Sequence, residues 1–143
     1  IITPNIPEAE ILLGEKITEQ AMLQGFAKKL SQSFGGKVSV LLKAGHLSEE
    51  ELIDIFYNAE TGELSELPSR RIFTKNTHGT GCTLSSAVAA YLARGFSLNE
   101  SVTYGKEYIY QAILAGTNFP IGKGHGPVHH FWNVPNWGEG LRK

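Results

Sequence analysis

At 143 residues the chain is long enough to bury one core, so a single domain is the default expectation. Apolar residues at 41% and charged residues at 19% fit a soluble globular protein, and a net charge of −1 leaves no electrostatic footprint for nucleic acid or an anionic membrane. One cysteine excludes an intrachain disulfide and favours a reducing, cytoplasmic setting; no apolar run approaches bilayer length and no signal-peptide pattern is present.

The chain opens Ile1-Ile2-Thr3-Pro4-Asn5 with no methionine, and it reads as a piece of a longer protein. Ile1 to Thr3 is expected to be a strand stub stopped by Pro4. Asn5-Ile6-Pro7-Glu8 has the spacing of a capping box with proline in the first turn, predicting a short helix to about Leu13. Thr18 is expected to cap a longer helix with Met22, Phe26 and Leu30 on one face, ended by Gly35-Gly36.

Val38 to Leu42 is a nearly continuous apolar run, as expected of a strand buried on both faces of a parallel sheet. It empties into Lys43-Ala44-Gly45-His46, on the side where open α/β sheets bind ligands. Leu52 to Asn58 and Glu63 to Leu67, around Glu60-Thr61-Gly62, predict a hairpin, and Arg71 to Thr74 a further strand.

Asn76-Thr77-His78-Gly79-Thr80-Gly81-Cys82 then runs into a helix with Leu84, Ala87, Val88, Tyr91 and Leu92 as its buried stripe, closed by Arg94-Gly95. A glycine loop entering a helix leaves backbone N–H groups unpaired beside the positive end of the helix dipole, which suits an anion. Ser97 to Glu100 is a second capping box, and its helix turns Val102, Ile109, Ala112 and Ile113 inward before Gly116. The tail, Gly122 to Trp137, is expected to be an ordered loop. Alternating strands and helices make an α/β layered fold the natural reading.

Cys82 is open to two readings: a small buried residue at a helix start, or a thiol activated by the helix N-terminus as base or nucleophile. Gly79 and Gly81 favour the second, because packing a helix start does not require them and close approach to a ligand does. Lys43 is either a solvated edge charge or a phosphate partner, and Asn5 with Glu8 is at minimum a helix cap. His125, His129 and His130 do not have the spacing of a metal site, so no metal held by protein side chains alone is expected; Asn5 and Glu8 could still touch a Mg²⁺ held mostly by water and phosphate.

Residues Arg71 to Ala87 closely resemble the anion-hole segment of the bacterial hydroxymethylpyrimidine/phosphomethylpyrimidine kinases of thiamine biosynthesis, members of the ribokinase-like superfamily. Ile2-Thr3-Pro4-Asn5 with Glu8-Ala9, Val40 to Leu47, and Gly124 to Phe131 agree in order and spacing. The resemblance implies a ribokinase-like layered α/β fold with a mostly parallel central sheet flanked by helices. Residues 1–143 would be the C-terminal, nucleotide-binding half of that single domain.

It also implies ATP-dependent phosphorylation of the pyrimidine's hydroxymethyl group and then of its phosphate. Cys82 would activate the acceptor hydroxyl, the amides of Gly79, Thr80, Gly81 and Cys82 would hold the phosphoryl group, and Lys43 would neutralise phosphate charge. Asn5 and Glu8 would organise a Mg²⁺–water–phosphate network. The implied partner is a small-molecule pyrimidine, with a homodimer left open. Ala44 departs from the glycine expected there, and the half that supplies most of the pyrimidine pocket is missing, so the chain by itself is not expected to be a complete kinase. Competing readings are a pyridoxal or pyridoxine kinase of the same superfamily, a cysteine-dependent acyl-transfer enzyme, and a non-catalytic nucleotide-binding fragment.

Overall fold

The computed structural model describes residues 1–45, 50–119 and 121–135, and it divides into two compact units, Ile1–Arg71 and Ile72–Lys143. His46 and Leu47 of the expected loop, and Trp137 of the expected tail, lie outside the described residues.

The first unit is built on helix α1 (Ile6–Leu13), helix α2 (Leu23–Ser33) and strands β1 (Val40–Leu42), β2 (Glu51–Tyr57) and β3 (Leu64–Arg70). The α1 capping box forms as the sequence predicts: Asn5 Oδ1 accepts from the Glu8 amide at 2.9 Å, and the Asn5 amide donates to Glu8 Oε2 at 2.7 Å. Gly14, left-handed at φ +67°, stops the helix. Thr18 is not the cap expected of it. Its hydroxyl meets Met22 Sδ at 3.5 Å, and the chain enters α2 through a 3₁₀ turn at Gln20–Met22. The Gln20 side chain is used in the sheet instead: its carboxamide donates to the Glu51 carbonyl and accepts from the Ile53 amide, filling ladder positions of β2 that β1 is too short to reach.

Leu23, Phe26, Ala27 and Leu30 form the buried stripe of α2 and pack with Val40, Leu42 and Ile55 in the core of this unit. All three residues of β1 are fully buried, which is why the strand is apolar without alternation. Pairing differs from expectation. The sheet has the order β1-β2-β3 and is antiparallel throughout. Parallel pairing is confined here to isolated bridges, Ile2 with Val40 and Asn5 with Lys43, sealed by Ile2 N to Ser39 O and Leu41 N to Ile2 O at 2.9 Å each. The N-terminal stub therefore runs beside β1 in the same direction. The expected hairpin forms, with Gly62 at φ +73° in its turn and Tyr57 opposite Leu64.

In the second unit, helix α3 (Thr80–Ala93) packs on helix α4 (Leu98–Gly116). No strand forms at Arg71 to Thr74: β3 already ends at Arg70, and residues 71–77 are irregular. The α3 stripe is shorter than its periodicity suggests. Thr83, Leu84, Ala87 and Val88 are buried, Tyr91 is half-buried and Leu92 is exposed. In the last turn Tyr91 joins Phe96 and Tyr104 in a ring cluster, with the Arg94 guanidinium over Tyr91 and Phe96. On α4 the Ser97–Glu100 box forms, and hydrogen bonds from the Ser97 hydroxyl and then its amide hold the Glu100 carboxyl below the usual glutamate value. Val102, Ile109 and Ala112 are buried as expected, and Ile113 is half-buried.

The closest point of the helix pair is Gly105, where a Cβ would lie 2.7 Å from Val88 Cγ2 and 3.3 Å from its amide nitrogen. Valine is stiff at this position and backbone cannot retreat. Gly105→Ala is therefore expected to destabilise the protein by about 1–2 kcal/mol net of alanine's better helix propensity, read as a lowered midpoint in thermal denaturation.

Candidate active site

The glycine turn at the start of α3 holds the most distinctive geometry in the second unit. Gly79 is the N-cap, in the left-handed region at φ +83°, and no side chain caps the helix. Its carbonyl accepts from the Thr83 amide at 2.9 Å, which closes the first helical turn. The Thr80 amide reaches the Thr77 carbonyl at 3.3 Å and its hydroxyl the same oxygen at 2.6 Å. The next amides, of Gly81 and Cys82, are first-turn donors with no helical carbonyl to bond. Cys82 itself is exposed. Of its two expected readings, burial at a helix start is thereby removed.

The two glycines have different reasons for being there. Gly79 is required by its positive φ, so the turn needs it with or without a ligand. Gly81 has an ordinary φ, and a Cβ placed on it would meet nothing within 4 Å, so nothing in this chain's own packing calls for glycine.

A groove of about 510 Å³ runs from Cys82 along α3, lined also by Thr83, Ser86, Tyr91, Arg94 and His130. His130 is placed by two contacts: its Nε2 lies 2.9 Å from Thr83 Oγ1, and its carbonyl accepts from the Tyr108 hydroxyl at 2.5 Å. That ring nitrogen is already engaged with a hydroxyl, so His130 is not poised on Cys82 through it. His129 stacks edge-on against Phe119, with its Nδ1 accepting from the Phe131 amide at 3.2 Å. Among the described residues no three of His, Cys, Asp and Glu converge as metal ligands would.

In the first unit, the other expected residues are gathered at the ends of two parallel segments. Asn5 and Lys43 are bridge partners, and the Lys43 amide donates to the Pro4 carbonyl at 3.0 Å. The Lys43 ammonium donates to the Thr3 carbonyl. Glu8 is exposed and spends one carboxylate oxygen in the capping box. Polar groups thus collect at the carboxyl ends of β1 and of the stub beside it, where sheets with parallel neighbours place ligands.

Two residues not assigned a role from sequence support these positions. Asp54 is buried on β2, and its Oδ1 accepts from the Ala44 amide at 2.7 Å, fixing the turn that follows Lys43. The sequence signal was a lone carboxylate inside the apolar run Leu52-Ile53-Asp54-Ile55-Phe56. Ala44 is fully buried, so its methyl group is accommodated where glycine was expected. The second residue is Asn76, within the glycine segment itself.

This α/β architecture is that of small-molecule kinases. The chain is similar to the pyridoxal kinase of Bacillus subtilis, solved as an ADP complex, with a TM-score of 0.79 and 36% identity over 91% of this chain and 47% of that one. The phosphomethylpyrimidine kinase family model matches residues 1–129, and the chain belongs to that family. It is 44% identical over 132 residues to the hydroxymethylpyrimidine/phosphomethylpyrimidine kinase of Rhizobium meliloti, covering 92% of this chain and 48% of the relative. To the thiamine biosynthesis bifunctional protein ThiED of Geobacter sulfurreducens it is 44% identical over 130 residues, covering 91% of this chain and 25% of that protein. The chain thus spans about half the length of the Rhizobium kinase it matches. Among the described residues no helix is long and apolar enough to cross a membrane.

Proposed function

We propose that the whole protein is an ATP-dependent kinase of thiamine biosynthesis. It phosphorylates 4-amino-5-hydroxymethyl-2-methylpyrimidine and then the resulting monophosphate. Residues 1–143 form the C-terminal, nucleotide-side half of one ribokinase-like domain, whose sheet becomes mostly parallel when the remaining half adds its strands. The observation that carries this reading is the uncapped first turn of α3, with a positive-φ glycine, an unexplained second glycine and an exposed thiol, in a chain of the phosphomethylpyrimidine kinase family.

The chemistry follows from those groups. Phosphoryl transfer calls for positioning and charge stabilisation more than covalent participation by the protein. The amides of Gly79, Gly81 and Cys82, joined by that of Thr80 when it gives up its 3.3 Å bond to the Thr77 carbonyl, receive the oxygens of the transferring phosphoryl group at the positive end of α3. Cys82, entering the step as thiolate, takes the hydroxyl proton and becomes the thiol as the substrate oxygen attacks the γ-phosphorus, and ADP leaves. Lys43 supplies positive charge to phosphate as a compact ammonium.

Mg²⁺ fits the donor set at Asn5 and Glu8. One Glu8 oxygen is engaged in the cap, and the exposed carboxylate suits contact with the waters of a metal held mainly by phosphate. The ion would neutralise phosphate charge. The substrate is a small-molecule pyrimidine, met in the cytoplasm.

A second reading, a pyridoxal kinase, is favoured by the structural likeness to the Bacillus enzyme. Turnover of the hydroxymethylpyrimidine and of pyridoxal by the whole protein, measured side by side with ATP and Mg²⁺, separates the two. The expected result is a kcat/KM at least about tenfold higher for the pyrimidine, a difference of about 1.4 kcal/mol in transition-state stabilisation. A preference of that size for pyridoxal overturns the substrate assignment.

A further inference from the structure

Residues 71–79 lead into α3 without forming a strand or helix, and the one buried residue among them is polar: Asn76, 9% exposed. Its carboxamide nitrogen is fully committed. Nδ2 donates to the Gly116 carbonyl at 2.6 Å and to the Phe119 carbonyl at 2.9 Å, so both amide hydrogens are used. The Gly116 carbonyl lies at the C-terminus of α4, among the oxygens a helix leaves without internal partners.

The opposite side of the carboxamide is closed by Gly126, where a Cβ would lie 2.1 Å from Asn76 Oδ1 and 2.7 Å from Cγ. Two residues on, His78 is stitched to the same tail by backbone, donating to the Gly126 carbonyl at 3.1 Å and accepting from the Val128 amide at 3.4 Å. Gly79 follows at once. The turn that holds a positive φ is thus fixed from behind by the Asn76 side chain and by the backbone of His78.

We propose that Asn76 is the positioning residue of the anion-binding turn. By locking residues 74–78 between the end of α4 and Gly126, it keeps the amides of Gly79 to Cys82 aligned before an anion arrives. This removes an ordering cost that would otherwise fall on phosphate binding and transfer. The catalytic consequence rests on the kinase reading above; the alignment itself does not.

Two variants of the whole protein test it. Asn76→Asp keeps the size but replaces both donors by an oxygen facing two carbonyls. Gly126→Ala leaves Asn76 intact and displaces it from the other side. Amide hydrogen exchange without nucleotide reads the alignment directly, and the hydrogen-bonded amides of His78, Thr80 and Thr83 are expected to exchange at least tenfold faster in both variants, with α4 protected as in the wild type. Kinetically, kcat is expected to fall by about 100-fold, the scale of a small misplacement of catalytic groups, with the KM for the pyrimidine within about threefold.

Unchanged exchange at His78, Thr80 and Thr83 in the folded variants overturns the proposal. So does exchange accelerated equally across α3 and α4, which would make Asn76 a general stabiliser. If Asn76→Asp does not fold, Gly126→Ala decides by the same readouts. Should the wild type phosphorylate neither ring, the kinase reading fails and the exchange result still decides this one.

Discussion

Replacing Cys82 by alanine in the whole protein is expected to lower kcat for phosphoryl transfer by about 10²–10³-fold while ATP binding is retained. A positioned general base contributes on this scale, and the residual rate comes from the anion-holding amides, which the substitution leaves in place. The argument rests on position: Cys82 is exposed in the first turn of α3, on the groove that continues past Ser86 to Arg94. Alanine preserves the helix and removes only the sulfur. Measuring kcat by ADP release, and ATP affinity by equilibrium titration, separates base from binding group. An unchanged kcat removes Cys82 from the chemistry.

Lys43→Ala is expected to affect binding and rate together, reducing kcat/KM for ATP by about 10–100-fold. A hydrogen bond from a charged group is worth about 1.5–3 kcal/mol, and this loss of charge is felt by bound nucleotide and transition state alike. In the chain by itself the ammonium donates to the Thr3 carbonyl, a neutral acceptor within the segment that also carries Asn5. Lys43→Arg restores charge but presents a planar fork in place of a compact ammonium, and only partial recovery is expected. Steady-state kinetics over a range of ATP concentrations checks both variants. Wild-type values in Lys43→Ala return the residue to a surface charge at the end of β1.

What could be read from sequence was mostly local chemistry. Both capping boxes depend on residues three apart, and both formed. The hairpin followed from a turn sequence around Gly62. The failures came where the deciding partner was distant. Arg71-Ile72-Phe73-Thr74 has strand-like composition, but a strand exists only if another pairs with it; Arg71 still donates to the Glu50 carbonyl at 2.8 Å, and beyond it Ile72 to Thr74 are in no strand. The α3 periodicity continued to Leu92, whereas the helix turns its last residues toward the aromatic cluster with Phe96 and Tyr104. The antiparallel register of β1 with β2 likewise lay in nonlocal pairing that an apolar run does not encode.

The same division holds for the site. Gly79, Gly81 and Cys82 were legible as a glycine turn opening α3 because a helix N-terminus is a local object. The separate reasons for the two glycines needed a φ angle and the space around each. Asn76 and Asp54 act across 40 and 10 residues of chain respectively, Asn76 on Gly116 and Asp54 on Ala44. Their partners are backbone atoms, which carry no sequence signature. Each has a faint local mark, a polar residue where its neighbours call for something else.

The central claim, that this chain belongs to a pyrimidine-phosphorylating kinase, is tested most directly by phosphorus NMR of the whole protein incubated with ATP, Mg²⁺ and hydroxymethylpyrimidine as sole acceptor. The account predicts a pyrimidine monophosphate resonance that rises first and is then converted to the diphosphate, with one ADP formed at each step. ATP that stays intact, or is hydrolysed with no phosphorylated pyrimidine, contradicts it.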